Sequence, residues 1–149
     1  VSKNGTMLLN ILQRPDGSID EETRYILQEM TVWISVCGEG IYRTRPWRRF
    51  GEGCSSVLID GFTEEAVSWA ETDFRFTARE NTVYAFIMKV SENRVSVIRS
   101  FTPEEKVLSV RLLGGGLVPF SQNYGVLTVK LPETLPANYT NCLAVEIAC

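Results

Sequence analysis

Adjacent acidic residues are the side chains of this chain that could most directly donate and accept protons. They occur as Asp20-Glu21-Glu22, Glu64-Glu65 and Glu104-Glu105. Acid–base work on one bond needs two carboxyl groups that face each other, whereas neighbours in sequence usually form a solvated charge run. The chain contains no histidine, which excludes Ser-His, Cys-His and His-metal sites. We therefore predict no catalytic residue and no metal site in these 149 residues.

The four cysteines give no sign of a metal or redox site. They are irregularly spaced, without a CxxC pair, so free and mostly buried thiols are the plain interpretation, with a Cys142–Cys149 bridge as the alternative. The run Gly114-Gly115-Gly116 precedes a strand pattern rather than a helix. It is a turn and not a phosphate-binding loop, and we expect no cofactor.

Composition narrows the class of protein. The chain is 44% hydrophobic and 22% charged with a net charge of −3, which is ordinary for a globular protein of one domain, or one domain and a fragment. A pI of about 5.1 is unlike that of a nucleic-acid-binding domain. No apolar run is long enough for a membrane span.

The elements that would position any site begin with one β-loop-α unit. The apolar run Met7–Leu12 is typical of a strand buried on both faces, as in parallel sheets. Asp20 is placed to cap a helix that ends near Gly38. Ile26, Met30, Trp33 and Cys37 would form its apolar face.

No second β-loop-α unit follows, although a parallel strand needs a parallel neighbour. We therefore expect the chain to be the end of a larger α/β protein.

From Cys54 onward the pattern has the period of two that is typical of strands. Short runs separated by turn residues predict an antiparallel β-sandwich of about seven strands. These runs are Phe74–Ala78, Thr82–Val90, Arg94–Ser100, Val107–Leu112, Val118–Ser121, Val126–Leu131 and Leu143–Ala148. Thr82–Val90 is apolar on both faces, which predicts a central strand. Thr63–Ala70 is compatible with a helical turn or a loop.

Residues Glu39–Gly53 are predicted to form a linker rich in arginine. One interpretation is a basic patch that binds sugar or phosphate. The favoured one is a clamp between two domains, in which Trp47 packs and the arginines pair with carboxylates.

Three motifs in order carry a resemblance to a known family. Asn4–Ile11, Pro15–Asp20 and Gly38–Trp47 resemble the last βα unit of the α-L-fucosidases, glycoside hydrolases of family 29, and Phe74–Phe86 resembles the start of their C-terminal sandwich. The family pattern of Gly-Pro soon after the Asn-Ile pair is replaced here by Leu12–Pro15.

The resemblance implies a mainly β fold: an antiparallel β-sandwich (54–149) preceded by one strand and one long α-helix left over from a (β/α)8-like barrel (1–53). The parent enzyme would hydrolyse terminal α-L-fucose with retention, using an Asp nucleophile and a Glu acid/base that no position here matches. This fragment alone would not be catalytically competent. It would mainly buttress the missing barrel, its partner. The resemblance suggests a secreted, periplasmic or lysosomal protein.

Barrel enzymes build their sites at the carboxyl ends of the strands. Asn10, Gln13 and Arg14 lie at or just after that end, so the resemblance suggests that they line the parent's sugar pocket. A role in stabilising the turn is the alternative.

A non-catalytic carbohydrate-binding module is the second hypothesis for the function. Aromatic side chains stack on sugar rings in such modules, and Trp69, Tyr124 and Tyr139 are the candidates. An exposed, coplanar pair would support it, and a structural domain without a ligand is a third hypothesis.

Two further features concern modification and assembly. Asn4-Gly5-Thr6 and Asn138-Tyr139-Thr140 match the N-glycosylation sequon, a pattern that also arises by chance. Without the barrel, Met7–Leu12 and the helix face would be exposed, so we expect self-association or folding of this segment onto the sandwich.

Overall fold

The chain folds into one long helix and nine strands within residues 1–55 and 68–148, the part that its computed structural model describes. Helix α1 spans Glu21–Cys37 and continues into a 3-10 turn at Gly38–Gly40. The strands are β1 Arg45–Glu52, β2 Phe74–Arg79, β3 Thr82–Ile87, β4 Val95–Ile98, β5 Val107–Leu112, β6 Gly116–Leu117, β7 Phe120–Asn123, β8 Val126–Lys130 and β9 Asn141–Ile147. None of the described helices has the length and hydropathy that crossing a bilayer requires.

Two antiparallel sheets face each other, as the alternating pattern predicts. The larger has the order β1-β2-β3-β9-β5-β6, and the smaller has the order β4-β8-β7. Inward side chains of both sheets form one core, which includes Phe76, Ile98, Leu127 and Val145. The predicted sandwich is confirmed, with strand ends shifted by a few residues. The predicted run Val118–Ser121 overlaps only β7, and the short strand β6 lies just before it.

Strand β3 is central, as predicted, and both of its faces are buried. Val83, Ala85 and Ile87 enter the core between the sheets. Tyr84 and Phe86 point to the opposite face, where a second apolar cluster includes Cys37 of α1 and Cys142 of β9. Helix α1 therefore covers the outer face of the six-stranded sheet.

Helix α1 begins as the sequence predicts. The side chain of Asp20 accepts a hydrogen bond from the backbone N–H of Thr23 at 2.7 Å, and Glu21 and Glu22 occupy the first turn, where the helix dipole favours negative charge. The helix ends with Gly38 as its C-cap residue.

The predicted strand at Met7–Leu12 is not formed. These residues have no regular secondary structure, and Met7, Leu8 and Leu12 are among the most exposed apolar side chains described. A parallel strand takes its hydrogen bonds from neighbouring strands, and no strand within residues 1–55 and 68–148 pairs with this segment. The apolar pattern of Met7–Leu12 therefore leads neither to a strand nor to burial in this structure.

The second difference concerns the predicted linker, because Arg45–Glu52 forms strand β1, which pairs with β2. It is an edge strand whose side chains are mostly exposed, and Pro46 is tolerated there because an edge strand leaves backbone N–H groups unpaired. Trp47 packs between the rings of Phe76 and Phe101, each with a centroid 5.2 Å away. Strand β1 was not predicted because its sequence does not alternate between apolar and polar residues.

Arg48 fixes β1 to the rest of the sandwich. Its guanidinium lies 4.0 Å from the centre of the Trp47 ring and donates to both carboxylate oxygens of Glu105, one of them at 2.8 Å, and to the carbonyl of Ser100. The expected tryptophan packing and arginine–carboxylate pair are therefore present. These contacts hold β1 within the sandwich. A clamp to a second domain stays a prediction, and so does the domain boundary after Gly53.

Asp73 joins two stretches of chain through a buried carboxylate. Its Oδ1 accepts from the Ser55 backbone N–H at 3.2 Å and its Oδ2 from that of Ala70 at 2.6 Å. Gly53 adopts φ +115°, and a Cβ there would lie 1.9 Å from Asp73 Oδ1. Burial by itself would raise the pKa of Asp73, but the hydrogen bonds from Ser55 and Ala70 leave that pKa below its usual value.

Replacement of Asp73 tests this junction. We expect Asp73→Asn to lower the free energy of unfolding by about 2 kcal/mol at pH 7, because an amide offers one acceptor oxygen where the carboxylate offers two charged ones. The folded-state pKa is lowered, so the carboxylate's stabilisation is present above the unfolded pKa and lost as the pH falls through the folded value. Urea unfolding at pH 7 and in acid should therefore show the difference between the two proteins shrinking in acid.

The exposed Glu104 gives the matched control, Glu104→Gln, whose stability should stay close to that of the unsubstituted protein. Equal stability of the Asp73→Asn protein at pH 7 would contradict the role assigned to this carboxylate.

Candidate functional site

The residues predicted to line a pocket lie on the exposed segment before the helix. Asn10, Gln13 and Arg14 are all exposed. The backbone N–H of Arg14 donates to the Ser18 carbonyl at 2.8 Å, and the Arg14 carbonyl accepts from Gly17 at 2.9 Å. The backbone of Arg14 thus closes the turn before α1. The structure brings these three side chains into no common site, and their role in a pocket stays a prediction.

The acidic groups considered for catalysis hold local structure where the chain is described. Asp20 caps α1, and Glu105 binds Arg48 and the backbone N–H of Thr102 at 2.8 Å. Glu64-Glu65 and most of Thr63–Ala70 lie outside the described residues. No group of three or more potential metal ligands occurs in the described part of the chain.

A network of polar contacts lies where helix α1 meets the six-stranded sheet. It was not predicted from the sequence. Trp33 is the apolar part of this contact. Its indole N–H donates to the Thr140 carbonyl at 2.7 Å, and its ring lies 6.2 Å from that of Phe86. Gly40 follows in the 3-10 turn, where a Cβ would lie 2.8 Å from the Phe86 ring. The chain can approach the sheet this closely because residue 40 has no side chain.

Glu39 lies between these two contacts and forms the polar part. Its Oε1 accepts from Arg111 Nη2 at 2.7 Å and from the Tyr84 hydroxyl at 3.0 Å, with Arg79 Nη2 at 3.6 Å. Arg79 also donates to the Tyr84 hydroxyl at 2.8 Å. One carboxylate thus joins the end of the helix to residues of β2, β3 and β5. We call these four residues the Glu39 cluster.

The charges of the Glu39 cluster are fixed by its hydrogen bonds. The bond from Arg111 is the main reason that the pKa of Glu39 lies below its usual value, and the same bond raises the pKa of Arg111. Burial, followed by the hydrogen bond to the Glu39 carboxylate, raises the pKa of Tyr84 to about 12. At neutral pH the cluster therefore holds a carboxylate, two guanidinium groups and a neutral phenol.

This arrangement suits attachment rather than catalysis. A general acid needs a pKa near the working pH, whereas the Glu39 pKa is lowered and the Tyr84 pKa is raised. The neighbouring thiols are equally inert, because burial raises the pKa of Cys37 to about 11 and raises that of Cys142 as well. Cys37 and Cys142 are free and buried, as expected, whereas Cys54 is free and exposed. Cys149, and with it the alternative bridge, lies outside the described residues.

The aromatic residues considered for sugar stacking lie in separate places. Tyr124 is at the β7–β8 turn, and Tyr139 lies beside α1 at an open apolar groove lined also by Tyr25, Ile26 and Met30. Trp69 stacks on the guanidinium of Arg75, 4.9 Å from the ring centre. Because Tyr124 belongs to the small sheet and Tyr139 to the opposite side of the large one, these two do not form one stacking platform.

The Glu39 cluster can be tested through the titration of Tyr84. In the unsubstituted protein one tyrosine should ionise only at a pKa of about 12, and Glu39→Gln should bring that pKa down, because the negative partner is gone. Since the folded pKa is raised, the phenol's stabilisation is present below pH 10 and lost as the pH rises toward 12. The measurement is an ultraviolet titration of tyrosinate, with Tyr84→Phe identifying the late step.

Glu39→Gln should also lower the free energy of unfolding by about 1 kcal/mol at pH 7, since the cluster is partly exposed. Tyr124→Phe, at an exposed turn, is the control and should leave the late titration step unchanged. An unchanged pKa of the late step in the Glu39→Gln protein would contradict the assignment.

Comparison with known proteins finds similarity to α-L-fucosidases. The family model described as Alpha-L-fucosidase matches residues 1–39. The chain is 28% identical over 141 residues to a tissue alpha-L-fucosidase of Macaca fascicularis, covering 92% of this chain and 26% of the relative. It is 31% identical over 88 residues to an alpha-L-fucosidase of Branchiostoma floridae, covering 59% of this chain and 16% of that protein.

The solved structures agree over nearly the whole chain. The Thermotoga maritima alpha-fucosidase in complex with a mechanism-based inhibitor superposes with a TM-score of 0.72 at 25% identity, covering 98% of this chain and 31% of that enzyme. This chain thus spans about a third or less of the length of these relatives. Over nearly its whole length the chain is thus similar to the C-terminal part of α-L-fucosidases.

Proposed function

We propose that this chain is the structural end of an enzyme that hydrolyses terminal α-L-fucose from glycans with retention of configuration. The observation that carries the proposal is the match over 98% of this chain to a solved fucosidase of which it covers 31%. A retaining glycosidase needs two carboxyl groups about 5 Å apart across the scissile bond. The carboxylates of Asp20, Glu39 and Glu105 are each held by local hydrogen bonds instead.

Within that enzyme the sandwich would act as a buttress for the catalytic barrel. The last turns of α1 are fixed by the Trp33–Thr140 bond and the Glu39 cluster. The first turns and Met7–Leu12 leave apolar side chains exposed, which is the surface that the remaining barrel elements would cover. Met7–Leu12 would become a barrel strand there, because neighbouring strands would satisfy its backbone.

Activity measurements test the assignment directly. The 149-residue chain should release no chromophore from a chromogenic α-L-fucoside, whereas the protein extended by the coding sequence upstream of Val1 should do so, since the acid/base and nucleophile would be added. A chromogenic β-galactoside serves as the control for contaminating glycosidases. Turnover of the fucoside by the short chain would refute the absence of catalytic groups, and an extended protein without turnover would refute the activity.

The extended enzyme also tests the pocket residues. If Asn10, Gln13 and Arg14 line the leaving-group side, Arg14→Ala should raise KM for fucosides with a large leaving group more than for those with a small one. Arg99→Ala is the matched control, because Arg99 is an exposed arginine just after β4, away from α1. Unchanged kinetics of the Arg14→Ala enzyme would leave only the turn-forming role of its backbone.

We further propose that the short chain associates with itself through the uncovered segment. Leu8 and Leu12 are 89% and 82% exposed, so pairing of two copies would remove apolar area from water. In sedimentation velocity the unsubstituted chain should form dimers or larger species, and Leu8→Glu with Leu12→Glu should give monomers. Leu117→Glu, at a leucine that is 77% exposed elsewhere, is the control and should still associate. A monomer without any substitution would contradict the proposal.

A further inference from the structure

The bend before β9 is fixed by a buried asparagine. Asn141 is 1% exposed, and its amide nitrogen donates to the carbonyls of Ala137 at 3.0 Å and Tyr139 at 3.2 Å. Its amide oxygen accepts from the Ala137 N–H at 3.2 Å. The buried side chain of Asn141 therefore fixes the backbone conformation of residues 137–140.

The outer side of the same bend is held by helix α1. The Thr140 carbonyl accepts from the Trp33 indole at 2.7 Å, and the Tyr139 hydroxyl is hydrogen bonded to Glu29, which raises the Tyr139 pKa. Asn138 lies between these anchors, and its residue is exposed. Its side chain makes no hydrogen bond to any residue that the structure describes. Ala137 and Tyr139, on either side of Asn138, thus make contacts that hold the bend, whereas the side-chain amide of Asn138 is in solvent.

We propose that Asn138 is an N-glycosylation site of this protein. Asn138-Tyr139-Thr140 has the acceptor asparagine, a residue other than proline, and the threonine that the sequon requires. A glycan is bulky and needs a surface position, which the exposed bend provides. The choice of Asn138 rests on the exposed bend alone, whereas the exclusion of Asn4 given below rests on the proposed function.

The reaction uses a lipid-linked oligosaccharide diphosphate as donor. The amide nitrogen of Asn138 forms a bond to the anomeric carbon of the first sugar, the bond from that carbon to the diphosphate oxygen breaks, and the amide gives up one proton. The lipid diphosphate leaves with the bonding electron pair. No bond of the fold is lost, because the Asn138 side chain has no partner among the described residues and Thr140 holds Trp33 through its backbone carbonyl.

The second sequon, at Asn4, is less suited to modification. Asn4 has a positive φ of 58° and stands three residues before Met7–Leu12, the segment that would enter the barrel of the complete enzyme. A glycan there would adjoin the surface to be covered, whereas Asn138 stays on the outside of the sandwich. We therefore assign modification to Asn138 alone.

Cell-free translation with endoplasmic-reticulum microsomes tests this site, with the chain fused to a cleavable secretion signal. We expect protease-protected product to carry a glycan on Asn138, seen as a mobility shift that peptide N-glycosidase reverses, with peptide mass spectrometry finding aspartate at position 138 after that treatment. Asn138→Gln and Thr140→Ala should abolish the shift, and Thr140→Ser and Asn4→Gln should retain it.

The readout needs import but no folding, so a destabilised variant remains informative. Protected chains without a shift would overturn the proposal, as would a shift of the Asn4→Gln chain that survives addition of Asn138→Gln.

Discussion

The fold depends on one constraint: the central strands of the large sheet are apolar on both faces. Tyr84 and Phe86 alternate along β3 with Val83, Ala85 and Ile87, and all five are buried. A sandwich needs only one buried face per sheet, so the outer face requires a cover of its own. Helix α1 supplies it through its C-terminal turns. The helix is therefore a third layer of the sandwich.

Apolar contact alone would leave the position of that layer loosely defined, since hydrophobic burial is non-directional. The Glu39 cluster gives it direction, because Glu39 is hydrogen bonded to β3 and β5 and forms an ion pair with Arg79 of β2. Gly40 sets the distance, as any side chain there would meet Phe86. Glu39 and Gly40, two residues of one 3-10 turn, thus specify the orientation of α1 and its distance from the sheet.

Much of this could be predicted from sequence, where the local pattern and the final environment agree. The cap at Asp20, the two faces of β3 and the strands from Phe74 onward follow from periodicity and turn residues, because these elements find their partners inside the chain. Two elements did not follow. Met7–Leu12 carries the pattern of a buried strand but pairs with no strand in the described part of the chain, and β1 lacks alternation because it is an exposed edge. The Glu39 cluster escaped prediction because its members are far apart in sequence and meet only through the register of three strands.

Helix α1 is attached to the rest of the fold mainly from Glu29 onward, which has a consequence for anything that its first turn contacts. A rod clamped at one end transmits any tilt at the clamp to its free end, magnified by its length. Helix α1 has 17 residues, or about 25 Å at 1.5 Å per residue. A small repacking around Phe86 would therefore displace Glu21 by several times as much. Substitutions on the outer face of the large sheet would therefore shift the first turn of α1, and with it the surface that this turn contacts.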